Sequence, residues 1–291
     1  MNFADRIAEI EQSKQSVLTL GVDPHLEIDG KPGLPEGYSL ARFCCEVMEA
    51  CAQAVVAVKL QLAFFEARGV EGMRALAQVI AWARRLGLVT IADAKRADIA
   101  STSAAYAEAY LGEGEFGCDA ITVNPYMGTD ALTPFFKWVE RGRGVFVILK
   151  TSNAGASEFQ DLPAPDRPLW EIVAQKVNQW GSRFVGRSGL SSVGAVVGAT
   201  YPEHSRRARA LMPQTLILAP GYGAQGADAN DALAGAMRRD LPGIMVNASR
   251  SIMYAYLRSP GLSVPEASAR AAQTIRTELN RLLHAKQGNV L

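Results

Sequence analysis

Short apolar runs alternate along the chain with longer stretches in which apolar residues return every three to four positions. The runs predict strands at Val17–Val22, Val55–Leu60, Leu88–Asp93, Ala120–Asn124, Gly144–Lys150, Val193–Ala199, Thr215–Ala219 and Gly243–Val246. The stretches between them predict helices at Leu40–Ala54, Gly72–Leu86, Thr102–Leu111, Asp130–Arg141, Trp170–Val185, Glu203–Leu211 and Ala229–Arg238, with Pro265–Leu283 closing the series. Strands rich in Val, Ile and Ala, each followed by a helix, imply a parallel sheet buried on both faces. Eight such units favour an α/β fold of the closed (β/α)8 TIM-barrel type over an open doubly wound sheet. An open sheet usually carries Gly-x-Gly-x-x-Gly after its first strand, and Gly21-Val22-Asp23-Pro24-His25 is not one. One interval is too long for a plain crossover. Between strands five and six the chain inserts Asp161-Leu-Pro-Ala-Pro-Asp-Arg-Pro168 and a long helix, so 156–190 reads as an insertion or lid region. With no repeat and no Pro/Gly/Ser linker, residues 1–291 read as a single barrel domain.

Composition narrows the function classes. The 291 residues are 48% hydrophobic and 20% charged, with a net charge of +1. A barrel of this length buries a large core without disulfides or metal. The balanced charge argues against a nucleic-acid partner, which would require a basic face. The opening Met1-Asn2-Phe3-Ala4-Asp5-Arg6 is polar and amphipathic rather than a signal core, and the apolar runs are too short to span a membrane. Cys44, Cys45, Cys51 and Cys118 lack metal-ligand spacing and read as reduced thiols in a cytoplasmic protein. His25, His204 and His284 are scattered, so no zinc pattern forms.

Catalytic groups of a barrel stand at the C-terminal ends of its strands. Here those ends carry Asp23, Lys59, Asp93 with Lys95 two further on, and Lys150 with Ser152. In Asp93-Ala-Lys95-Arg-Ala-Asp98, two carboxylates bracket a lysine directly after an apolar run. Strand alternation puts Asp93 and Lys95 on one side, and Asp98 follows at the start of the next helix. Neighbouring carboxylates favour the ammonium form of Lys95, which suits it to donate a proton and stabilise developing negative charge. A second constellation suits an anion. The strand-seven loop Ala219-Pro-Gly-Tyr-Gly-Ala-Gln-Gly226 includes Gly223 and Gln225, and the strand-eight end Asn247-Ala-Ser-Arg-Ser251 includes Ser249 and Arg250. Glycines let backbone N–H groups approach an anion, Arg250 adds a charged fork, and these two loops form the phosphate site of many barrels.

These residues resemble orotidine 5′-phosphate decarboxylase, in particular its longer bacterial (type 2) subgroup. The family's Asp-x-Lys-x-x-Asp motif stands as Asp93, Lys95 and Asp98, followed by Ile99 and Thr102. Its strand-one Asp matches Asp23, its strand-two lysine Lys59, its strand-five loop Lys150-Thr-Ser152-Asn-Ala-Gly155, its phosphate loop Pro220–Gly226 and its last arginine Arg250. The resemblance implies that orotidine 5′-monophosphate is decarboxylated to uridine 5′-monophosphate, the final step of pyrimidine nucleotide synthesis, without metal or organic cofactor. Lys95 would protonate the ring carbon, and Asp93 would stand beside the departing carboxylate. Asp23 and Lys59 would hold the ribose, with Lys59 also bridging the charged catalytic array of Asp93, Lys95 and Asp98; Ser152 would hold the pyrimidine edge, and Gln225 and Arg250 the phosphate. Asp98 and Thr102 would reach into a partner's site, making the enzyme a homodimer with shared active sites. The chain departs from the family where Asn247-Ala-Ser249 replaces the glycine before Arg250, so Ser249 would supply backbone donors to the phosphate. Gln160 and Tyr222 both remain open as lid contacts.

Two other classes fit part of the pattern. A sugar-phosphate decarboxylase or aldolase of the same barrel group shares the Asp-x-Lys-x-x-Asp run but uses magnesium and an acidic residue near strand two, where Lys59 would repel the ion. A non-catalytic nucleotide-binding barrel would have lost Lys95 or one of the aspartates, and all three are present.

Overall fold

The computed structural model describes residues 1–223, 228–233, 238 and 242–288. Eight parallel strands close into a barrel: β1 Leu18–Val22, β2 Ala57–Gln61, β3 Val89–Arg96, β4 Ala120–Val123, β5 Gly144–Lys150, β6 Ser191–Val197, β7 Thr215–Pro220 and β8 Ile244–Ala248. Each pairs with its neighbours in sequence, and β1 closes the ring on β8 through Leu18 opposite Val246 and Thr19 opposite Asn247. All eight predicted strands are present, their ends displaced by no more than three residues. The start of β6 was hidden because Ser191 and Ser192 are polar. Their hydroxyls donate to the Gly181 carbonyl at 2.9 Å and to Asn2 Oδ1 at 2.8 Å, which lets both sit buried in a strand.

Alternation divides the core in two. Outward residues such as Leu18, Leu20, Val58 and Leu60 pack under the surrounding helices with Phe43, Val47 and Leu76. Inward residues Val89, Ile91, Phe146, Val196, Leu216, Leu218 and Met245 fill the barrel itself. The floor is closed by a helix the pattern did not predict, Phe3–Lys14, which adds Phe3, Ala4 and Ile7 to that inner cluster. Asn2 caps it, its side chain accepting from the Ala4 and Asp5 N–H groups. Phe3 meets Phe146 edge-on, centroids 5.9 Å apart, and Gly144 makes room, since a Cβ there would lie 2.5 Å from the Phe3 ring.

The long β5–β6 interval resolves into a short 3-10 turn Ala154–Glu158, a small hairpin of Pro163–Ala164 with Arg167–Pro168, and the helix Leu169–Gly181. The helix buries Trp170, Ala174 and Val177 in the outer core, so it packs as an ordinary crossover helix. Among the described residues, no helix is long and apolar enough to cross a membrane.

Candidate active site

Filled with apolar side chains below, the barrel turns polar at the C-terminal ends of its strands. The inward positions there carry Lys59 and Gln61 on β2, Asp93 and Lys95 on β3, Thr122 on β4 and Asn247 on β8. They line a cavity of about 360 Å³ with Asp23, His25, Ser152, Tyr222, Ser249 and Arg250. That volume lies at the small end of the roughly 300–1,000 Å³ typical of small-molecule sites.

Asp93 is the centre of the array. Its Oδ2 accepts from Lys59 Nζ at 2.8 Å and Gln61 Nε2 at 2.9 Å. Its Oδ1 accepts from Lys95 Nζ at 2.6 Å and Thr122 Oγ1 at 2.9 Å. Lys59 also lies 3.6 Å from Asp23 Oδ1. Burial alone would raise the Asp93 carboxyl, but the Lys59 and Lys95 ammonium groups outweigh it and hold the group ionised well below the usual carboxylate range. Burial alone would likewise lower Lys59, yet Asp23 and Asp93 keep its ammonium above the ordinary lysine value. The result is a chain of alternating charge running Asp23, Lys59, Asp93, Lys95, buried at Lys59 and Asp93 and open to solvent at Lys95.

The backbone of β3 is bent to build it. Ala92 pairs with Ile121 but Arg96 with Val123, so β3 carries extra residues between those points as a bulge. Within it Lys95 adopts φ +49°, a left-handed conformation that costs a non-glycine residue energy. Thr122 Oγ1 holds this kink by accepting from the Lys95 N–H at 3.0 Å while its own proton goes to Asp93. Asp93 and Lys95 therefore meet as predicted, though through a bulge rather than through plain alternation.

The other predicted residues separate into groups. Asp23, Lys59, Ser152, Ser249 and Arg250 all line the cavity. Gly198 lets the Ser152 loop approach β6, since a Cβ there would stand 3.0 Å from Ser152 Cβ. Gly223, at φ +71°, borders an adjoining depression with His25, Arg250 and Ser251. Gln225 lies outside the described residues. Asp98 and Thr102 are not among the residues that line this cavity: Asp98 accepts from the Ile99 N–H at 2.7 Å, and Thr102 is exposed on the helix Ala100–Leu111. Lys150 also turns away from the cavity, its buried ammonium donating to both Asp161 oxygens at 2.7 and 2.8 Å. Of the two open lid candidates, Tyr222 lines the cavity and donates to Glu278 Oε2, whereas Gln160 bonds Thr151.

Sequence reasoning missed Gln61 and Thr122. Both were within reach of strand alternation, because Gln61 shares the face of Lys59 and Thr122 is the inward residue that ends β4. It also missed the support under Asp23. Arg68 donates to the Pro24 and His25 carbonyls at 2.7 and 3.0 Å, pinning the β1 loop to the turn after β2, where His25 packs on Phe64 at 4.4 Å.

Comparison with known proteins bears on this geometry. Residues 16–258 match the model of the family described as "Orotidine 5'-phosphate decarboxylase / HUMPS family". The chain is 43% identical over 282 residues to an orotidine 5′-phosphate decarboxylase of Deinococcus radiodurans, covering 97% of this chain and 98% of that one. It is 42% identical over 274 residues to the Rhodopirellula baltica protein of the same name, covering 89% and 90%. Among solved structures, Leishmania donovani OMP decarboxylase superposes with a TM-score of 0.80 at 33% identity, over 97% of this chain and 99% of that one.

Proposed function

The chain belongs to the orotidine 5′-phosphate decarboxylase / HUMPS family, and from that premise we propose that it decarboxylates orotidine 5′-monophosphate to uridine 5′-monophosphate and CO2 in pyrimidine biosynthesis. The observation that carries the reading is Asp93 held ionised between Lys59 and Lys95 at the barrel mouth. In the reaction the bond between the ring carbon and the carboxylate breaks, CO2 leaves, and the electron pair stays on the ring carbon. Lys95 stabilises that charge and delivers the proton that becomes the new C–H bond. A fixed ammonium, already oriented by Asp93, needs little reorganisation at that moment. Asp93 stands beside the substrate carboxylate, so repulsion between the two is relieved as CO2 departs.

Asp23 and Lys59 bind the ribose, and Ser152 the pyrimidine edge. Gly223, Gln225, Ser249 and Arg250 grip the phosphate, whose binding energy at a distance from the reacting carbon helps hold the ring in place. The active form is a homodimer in which Asp98 and Thr102 complete the partner's site. Exposed large apolar residues that follow β3 and β4, Ile99, Tyr126 and Met127, support an interface on this side of the barrel. The 156–190 insertion serves as the lid region, its helix Leu169–Gly181 anchored on the barrel. Four free thiols support a reducing, cytoplasmic location.

The test is direct. Chelator-treated protein should consume orotidine 5′-monophosphate, followed by loss of its ultraviolet absorbance, and Lys95→Ala should abolish turnover while still binding uridine 5′-monophosphate. Turnover that requires added magnesium would instead favour a metal-dependent sugar-phosphate type of chemistry.

A further inference from the structure

Strand β5 ends on a buried cation that takes no part in the site. Ile148 lines the cavity and Leu149 packs in the outer core, so alternation would turn Lys150 back into the cavity. A slip of register turns it aside instead. Val196 pairs with Ile148 but Val197 with Lys150, so β5 carries one residue more than β6 at this point. The Lys150 side chain is 5% exposed, and its ammonium donates to both oxygens of Asp161 at 2.7 and 2.8 Å. A buried ammonium is costly unless paired, which ties Asp161 to the end of β5.

Gln160, next to Asp161, makes a second tie. Its Oε1 accepts from the Thr151 N–H at 2.9 Å and its Nε2 donates to Thr151 Oγ1 at 2.8 Å. The main chain of Gln160 is itself fixed. Its N–H donates to the Ala156 carbonyl and its carbonyl accepts from the Trp170 N–H, both at 2.9 Å. Trp170 opens the helix Leu169–Gly181 and is buried in the outer core. A continuous set of bonds therefore runs from that core through Gln160 to Thr151, and Ser152 is the next residue. From the other side, the Gly198 N–H of the β6 end donates to the Lys150 carbonyl at 2.8 Å.

Thr151 and Ser152 both line the cavity. A group that recognises the edge of a base must stand within about 0.5 Å of its place, and on a loop that precision comes from whatever holds the loop. We propose that Gln160 is a positioning residue for base recognition, supported by the Lys150–Asp161 pair: together they hold Thr151 so that the Ser152 hydroxyl meets the pyrimidine edge. This rests on the assignment of Ser152 to the pyrimidine, and it gives the insertion between β5 and β6 a task in specificity. The ribose and phosphate contacts come from β1, β2, β7 and β8, on the other side of the ring from β5, so loosening Gln160 leaves them in place.

The experiment measures, by calorimetry on the full-length protein, binding of uridine 5′-monophosphate and of ribose 5-phosphate, which shares the sugar and phosphate but lacks the base. Gln160→Ala should weaken the nucleotide about tenfold, as one lost hydrogen bond predicts, and leave ribose 5-phosphate unchanged. Ser152→Ala should show the same pattern, and adding Gln160→Ala to it should bring no further loss, because the two act through one contact. Equal losses on both ligands would make Gln160 a merely structural residue and overturn the proposal. Additive losses in the double variant, or no loss from Gln160→Ala, would overturn it as well. Should Gln160→Ala fail to fold, Asp161→Asn, which keeps an acceptor for Lys150, should give the same pattern and is judged by the same outcomes. A Ser152→Ala variant that binds the nucleotide like the wild type would sink the assignment of Ser152 to the base, and the proposal with it. A wild type that binds no uridine 5′-monophosphate would sink the substrate reading itself, so each failure leaves its own mark.

Discussion

Four donors converge on Asp93, two of them cationic, and this makes its charge depend on neighbours rather than on solvent. Because the folded carboxyl titrates below its ordinary value, its stabilising contribution is complete above the ordinary carboxylate pKa and is lost as pH falls toward the depressed one. Removing Lys59 takes away one ammonium and leaves the burial. Lys59→Ala should therefore lift the acid limb of the kcat/KM profile to higher pH and destabilise the fold by about 3–5 kcal/mol, the cost of breaking a buried pair. An acid limb at the wild-type position would mean that Asp93 does not rely on Lys59. Glu11 titrates in the opposite sense. It is buried, neither carboxylate oxygen has a partner among the described residues, and burial raises its carboxyl well above the ordinary range. As pH rises from the ordinary carboxylate range through that raised value, the unfolded chain gives up this proton first, and stability falls. Glu11→Gln has no proton to lose, so it should unfold at a temperature higher by a few degrees at pH 7, with the gap closing toward pH 4. A gap that stays constant across this range would show that Glu11 is not the group responsible.

Among the elements, the helix Phe3–Lys14 has the clearest structural task, since it seals the end of the barrel opposite the cavity. Phe3→Ala would open a void against Phe146 and Gly144 and should cost about 3–5 kcal/mol, measured by denaturant unfolding. A loss under about 1 kcal/mol would mean that the floor collapses to fill the gap. The same helix marks where the pattern stopped being legible. Runs of Val, Ile and Ala reveal the barrel strands because those strands are buried on both faces. Phe3–Lys14 contributes a narrow apolar stripe, and its place under the barrel depends on residues more than a hundred positions away. The site divides similarly. Lys59, Asp93 and Lys95 were legible because charge at the end of a buried strand is costly unless paired. The bulge that sets Lys95 at φ +49° was not, since it depends on pairing with β4 and on Thr122. Lys150 shows the converse. It reads as a site cation, yet Asp161, eleven residues on, takes its charge away from the cavity.

At the scale of the whole molecule, the sharpest consequence of the proposed homodimer is the division of the Asp93, Lys95 and Asp98 motif between two sites. Lys95 lines the cavity, while Asp98 and Thr102 are not among the residues that line it, and Ile99 next to Asp98 is exposed. In a two-fold dimer with shared sites, each site combines Lys95 of one subunit with Asp98 of the other. A Lys95→Ala homodimer lacks the proton donor in both sites, and an Asp98→Ala homodimer lacks the partner carboxylate in both. A mixed dimer has one site with both defects and one with neither. Random exchange makes half the dimers mixed, so the mixture should recover roughly a quarter of wild-type activity per subunit. Native mass spectrometry would establish that exchange has occurred before activity is read. Mixed dimers at the expected abundance with no recovery would overturn the shared site, because Asp98 would then be needed in the same protomer as Lys95.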